Sequence, residues 1–123
     1  MDNDTEFILA CLQDVLSSLE EVEKVFADFP NRYDIFESSS LHVSFVERKA
    51  EVMGEALARI RRRKPDFEVP NAHQIIATRN RIIHCYDNVK PDFLWLLVKR
   101  HFPILKEDVQ RLISELDPEA DNQ

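Results

Sequence analysis

The apolar positions of this chain repeat with the period of a helix. Ile8, Leu12, Val15, Leu19, Val22, Phe26 and Phe29 follow one another in alternating steps of four and three, which predicts an amphipathic helix with one buried stripe. Asp4 or Thr5 is placed to cap its start and Pro30 to end it. Residues 31–39 read as a connection with a short helical turn at Asp34-Ile35-Phe36. A second helix carries Val43, Val46, Ala50, Met53, Leu57 and Ile60 at the same spacing. Ser38, Ser39 or Ser40 is its cap, and it ends in Arg61-Arg62-Arg63-Lys64 ahead of Pro65. Pro70 opens a third helix, since proline fits the first turn, and this helix runs to Tyr86 or Asp87. Asn88-Val89-Lys90-Pro91 makes a turn into a fourth helical stretch over residues 92–116, with Phe93, Leu97, Leu105, Val109, Leu112 and Leu116 among its apolar positions. Pro103 lies inside that stretch and predicts a kink or a break. The expected fold is all-α, an antiparallel up-and-down bundle of four to five helices. It is expected to be one domain over residues 1–123, with its core in 5–116 and a frayed acidic tail at 117–123.

Composition agrees with this picture. The chain has 123 residues, 44% apolar and 32% charged, enough for a core without staples. A single glycine argues against a sheet protein, whose hairpins and bulges call for several. No run reaches the length of a membrane span, and Met1-Asp2-Asn3-Asp4 lacks the basic-then-apolar pattern of a signal peptide. Cys11 and Cys85 make neither a disulfide framework nor a metal cage. The expectation is a cytoplasmic protein with no membrane partner, no metal and no cofactor. A net charge of −7 excludes coating nucleic acid by bulk electrostatics but leaves room for a local cationic cleft.

Two places break the pattern. Gly54 sits in mid-helix, where it costs about 1 kcal/mol relative to alanine, with Ala50 and Ala58 one turn to either side. Small residues on one stripe let another helix approach closely. On the third helix, stepping about 100° per residue puts Ile75, Ile76, Ile82, Ile83 and Tyr86 within about 60° of Arg79. A guanidinium cannot lose its charge, so an arginine centred on an apolar face needs paired acceptors. The partner is either a carboxylate such as Glu47, Glu51 or Glu55, or a phosphate brought by a ligand. Asn80 and His84 lie one turn apart at the edge of the same face. Together with Arg79 they supply a fixed cation, a polar orienter and a group that titrates near neutrality, the parts for acid–base attack on a phosphodiester. Arg61, Arg62, Arg63 and Lys64 read as a solvated helix end suited to the macrodipole, or as a flanking RNA contact.

The string Arg79-Asn80-x-x-x-His84-x-Tyr86 resembles the signature of the HepT-like toxins in the HEPN superfamily. Met53-Gly54-Glu55-Ala56 resembles the Ile-Gly-Glu-Ala stretch common there, and Pro70, Ile75, Ile76 and Pro103 stand at matching spacing, so the likeness covers about residues 6–116. Cys85 and His73 depart from it, standing where many members have glycine and tryptophan. The resemblance implies a homodimeric, metal-independent ribonuclease toxin acting on RNA. In that scheme His84 activates the ribose 2′-hydroxyl, Arg79 stabilises the phosphorane and Asn80 orients groups at the site. It also implies a partner, an MntA-type nucleotidyltransferase antitoxin, that attaches AMP to Tyr86. Two other readings compete. One is a non-catalytic adaptor that binds a nucleotide or the nucleotidyltransferase through this face. The other is a helical dimerisation module with a purely structural Arg79.

Overall fold

The computed structural model describes residues 2–84 and 89–119. It is all-helical among the described residues: α1 (Asn3–Phe26), α2 (Tyr33–Glu37), α3 (Ser40–Arg63), α4 (Ala72–His84), α5 (Pro91–Leu96), a π-helical segment (Leu97–His101) and α6 (Phe102–Leu116). The last three run on without interruption through residues 91–116, so the described residues form five helices. No helix among the described residues is long and apolar enough to cross a membrane.

The caps fix the register of the two longest helices. Asp2, rather than Asp4 or Thr5, caps α1, its Oδ1 accepting from the Thr5 N–H at 2.7 Å. The extended backbone of Asp2 is what an N-cap needs, while Asp4 and Thr5 are already inside the helix. Ser39 caps α3, its Oγ accepting from the His42 N–H at 3.3 Å. The third helix begins at Ala72, two residues after Pro70, behind Asn71 in a left-handed conformation at φ 66°. Asparagine tolerates that conformation better than most residues do.

The predicted stripes form the core. Leu12 and Val15 of α1, Val46, Ala50 and Met53 of α3, Ile75 of α4 and Leu105 and Val109 of α6 are fully buried. Long-range ion pairs show the helix directions. Asp4 at the start of α1 meets Arg63 at the end of α3, and Glu21 late in α1 meets Lys49 early in α3, so these helices are antiparallel. Lys106 early in α6 holds Glu23 late in α1 by two contacts of 2.8 Å, which gives the same relation. One end of the bundle is closed by an aromatic cluster in which Phe26, Phe29, Phe36, His42 and Trp95 lie ring to ring, Phe29 and His42 only 4.5 Å apart.

The irregularity expected at Pro103 is present and lies upstream of it. The Phe102 N–H donates to the Leu97 carbonyl five residues back, the mark of a π turn. Proline has no N–H and crowds the carbonyl of the preceding turn, so that turn widens while the helix continues.

The short helix α2 is anchored by Phe36, which is fully buried. Phe36→Ala should lower stability by about 3–5 kcal/mol, since a five-residue helix cannot hold itself together once its anchor is gone. Urea denaturation followed by circular dichroism would show the lower midpoint.

Candidate functional site

The site is built where α4 crosses α3, and Gly54 makes that crossing possible. A Cβ at position 54 would fall on the Cβ of Arg79 and only 2.9 Å from the Ile75 carbonyl oxygen. Both obstacles are backbone or backbone-adjacent atoms that cannot swing aside. The close approach brings the stem of Arg79 over α3 and its guanidinium beside the next residue, Glu55. Arg79 Nη2 lies 2.7 Å from Glu55 Oε2, with the arginine side chain 23% and the glutamate side chain 40% exposed.

Of the three carboxylates that spacing allowed, the structure therefore selects Glu55. The pair is close in distance but poorly aligned, so Glu55 Oε2 and Arg79 Nε are both buried without a hydrogen-bond partner among the described residues. The other end of the guanidinium is occupied by Asn80, whose Oδ1 accepts from Arg79 Nη1 at 2.9 Å. Glu55 is also shared: its Oε1 lies 3.3 Å from Arg62 Nη2.

His84 is exposed at the end of α4 and makes no hydrogen bond or ion pair with any described residue. Arg79, Asn80 and His84 thus stand on one helix, the first held on both sides and the last exposed, without a partner among the described residues. Tyr86 and Cys85 lie outside the described residues. The apolar face of α4 is closed at its start, where Ile75 and Ile76 are buried, and opens toward its end, where Ile83 is 40% exposed.

Beside this crossing runs a groove of about 520 Å³ between α1, α3 and α4. Arg79, Glu55, Val52 and Ile83 line it, together with Ser17, Ser18, Arg48, Lys49 and Arg59. Most of its cations are already paired. Lys49 is 2.6 Å from Glu21 and Arg48 is 3.9 Å from Glu51, whereas Arg59 lies 5.8 Å from the centre of the Phe7 ring with no carboxylate partner among the described residues. Sequence reasoning missed Arg59 because nothing in its spacing distinguishes it from an ordinary surface cation.

The basic run at the end of α3 is largely tied down. Arg62 goes to Glu55, Arg63 to Asp4 at 2.9 Å and over the Phe7 ring at 4.7 Å, and Lys64 to Asp66 at 3.9 Å. Arg61 is exposed and has no ion pair among the described residues. Cys11 is buried, and burial pushes its thiol pKa up, away from reactivity. Among the described residues no group of three or more His, Cys, Asp or Glu side chains is arranged to hold a metal ion.

A groove edged by a half-buried arginine, with an asparagine on that arginine and an exposed histidine on the same helix, suits a protein that handles phosphate esters. Comparison with known proteins gives the class. The chain matches the family model described as ribonuclease HepT-like over residues 15–112, most of its length, and it belongs to that family. It is also similar to a protein of Methanocaldococcus jannaschii described as "gamma-glutamylcyclotransferase and putative RNase", with 28% identity over 115 residues covering 90% of this chain. The chain spans about half the length of that relative, 50%. No solved structure matches the chain.

Gly54→Ala tests the geometry. Helix propensity alone would raise stability by about 1 kcal/mol, but the collision with α4 should reverse the sign and cost about 1–3 kcal/mol. A lower melting temperature than the parent confirms the close crossing; a higher one refutes it.

Proposed function

We propose that this chain is an RNA-cleaving toxin of a toxin–antitoxin pair, and that Arg79, Asn80 and His84 carry the reaction. The observation that carries this reading is Arg79: a permanent cation pinned by helix packing at the edge of a groove, with Asn80 fixing its plane and His84 exposed further along the same helix, in a chain of the HepT-like ribonuclease family. The description of the Methanocaldococcus jannaschii relative as a putative RNase supports it further.

In the proposed reaction, neutral His84 takes the proton of a ribose 2′-hydroxyl. The 2′ oxygen attacks the adjacent phosphorus, and Arg79 neutralises the charge that collects on the phosphorane oxygens. The bond from phosphorus to the 5′ oxygen then breaks, and that oxygen takes a proton from a second imidazolium or from water. The products are a 2′,3′-cyclic phosphate and a 5′-hydroxyl, and the need for a 2′-hydroxyl confines the activity to RNA. No step in this scheme calls for a cofactor or a metal.

Two copies of α4 facing each other across a two-fold axis would supply the second histidine and concentrate positive charge in an acidic chain. The exposed Ile83 beside the site supports such an apposition. In this reading, exposed Arg61 gives the flanking RNA contact, with Arg62, Arg63 and Lys64 adding to the local field. An MntA-type nucleotidyltransferase is the proposed antitoxin. AMP attached to Tyr86, two residues after His84 in the sequence, would block RNA by bulk and by added negative charge.

The test uses purified protein and total RNA in the presence of EDTA, with His84→Ala in parallel. Wild type should leave 2′,3′-cyclic phosphate ends, and His84→Ala should lose at least a hundredfold in rate while melting at the same temperature. If neither protein cleaves RNA, the reading gives way to a non-catalytic adaptor that binds a nucleotide or the nucleotidyltransferase through the same face.

A further inference from the structure

Glu55 occupies the side of Arg79 to which the proposed reaction would bring a substrate phosphate. Its carboxylate is anionic, bears two acceptor oxygens and lies 2.7 Å from the guanidinium nitrogen of Arg79, on the groove side of α4. A phosphodiester offers the same charge and the same pair of acceptors. Arg79 cannot serve both fully. One side of its guanidinium is taken by Asn80, its Nε is enclosed, and helix packing at Gly54 fixes its stem. The imperfect alignment with Glu55 leaves buried atoms of both partners unsatisfied, so this pair is held in place by packing without a full set of hydrogen bonds.

Glu55 also has somewhere to turn. Its other oxygen already lies 3.3 Å from Arg62, one helical face along α3. A modest rotation of the side chain would exchange Arg79 for Arg62 and expose Arg79 to the groove without stranding the carboxylate.

We propose that Glu55 is an internal lock on Arg79, a phosphate surrogate that RNA must displace, and that Arg62 is the positioning residue that receives it. This rests on the ribonuclease reading above and adds a regulation to it: the free chain keeps its site closed electrostatically, and affinity for RNA is set by competition between two anions. It also gives Arg62 a role that direct contact with RNA would not. The other groove carboxylates do not share this arrangement. Among the described residues Glu51, for instance, reaches only Arg48, and at 3.9 Å.

The experiment is fluorescence anisotropy with a short labelled oligoribonucleotide whose riboses are 2′-O-methylated, so that binding is read without cleavage. Glu55→Gln should tighten binding roughly three- to tenfold, and Glu55→Asp, which keeps the charge but draws it back from Arg79, should tighten it in the same direction. Glu51→Gln, which removes an equal charge from the same groove, should change binding much less. The gain from Glu55→Gln should vanish in an Arg79→Ala background. Arg62→Ala should weaken binding in the parent and have little effect once Glu55 is glutamine, a non-additivity that a simple RNA contact would not give.

Equal gains from Glu55→Gln and Glu51→Gln would overturn the lock in favour of a general field effect. Persistence of the gain without Arg79, or no gain from either Glu55 variant, would overturn it outright. Because cleavage plays no part in the measurement, failure of the lock leaves the His84 result standing, and an inactive His84 leaves the lock standing.

Discussion

The close crossing of α3 and α4 at Gly54 is the constraint on which the rest of the site depends. An arginine on an apolar helix face is tolerable only if its stem is buried and its head reaches an acceptor. Both conditions follow from the missing side chain at position 54. With no Cβ there, the Arg79 stem lies directly on α3, and the carboxylate of the next residue meets its head. Mid-helix glycine costs α3 some local stability, and the helix-to-helix packing it permits offsets that cost. The antiparallel relation of the two helices does the remainder. Early α4 packs on late α3 around Ile76, Leu57 and Ile60, while late α4 comes back to Val52 and Glu55, where the groove opens.

The electrostatics of the groove follow from the same economy. The chain is acidic overall, yet the groove collects Arg48, Lys49, Arg59 and Arg79. Three of these four already have a carboxylate beside them. Of these pairs only Arg48–Glu51 is open enough to contribute little to stability and be screened by salt, whereas the cations of the other two, Lys49 and Arg79, are largely buried. Their chief effect is to hide positive charge from solvent. A polyanion entering the groove meets cations whose partners must first be moved, so specificity can come from which of those partners has an alternative acceptor nearby.

Much of this is legible in the amino-acid sequence. The positions of Arg79 and Gly54 were legible because each violates the pattern around it: a fixed charge at the centre of an apolar stripe, and a poor helix former between two alanines. The core stripes of α1 and α3 were legible because a period of three and four needs no tertiary information. What resisted reading depends on side-chain reach across helices. Glu47, Glu51 and Glu55 share a helix and a charge, and only the depth of the α3–α4 crossing selects Glu55. The basic run at the end of α3 reads from sequence as a solvated helix end or an RNA contact, and its tie to Asp4 is not legible because that partner lies at the far end of the sequence. Pro103 announced a disturbance but not its form, since the carbonyls that lose their donor belong to the turn before it.

Folding and chemistry make opposing demands on Glu55. For the fold, the carboxylate makes a half-buried guanidinium acceptable, and without it α4 would bury a charge unpaired. For the proposed ribonuclease, the same carboxylate occupies the arginine that the phosphate requires. A site with no internal acceptor would bind RNA more readily but would fold less well when empty. A fully hydrogen-bonded internal pair would fold well and resist RNA. The observed pair lies between these limits: short in distance, poor in angle, partly open to the groove, and shared with Arg62. In the proposed scheme, that intermediate geometry would let one residue serve as a structural partner in the empty protein and give way when a stronger anion arrives.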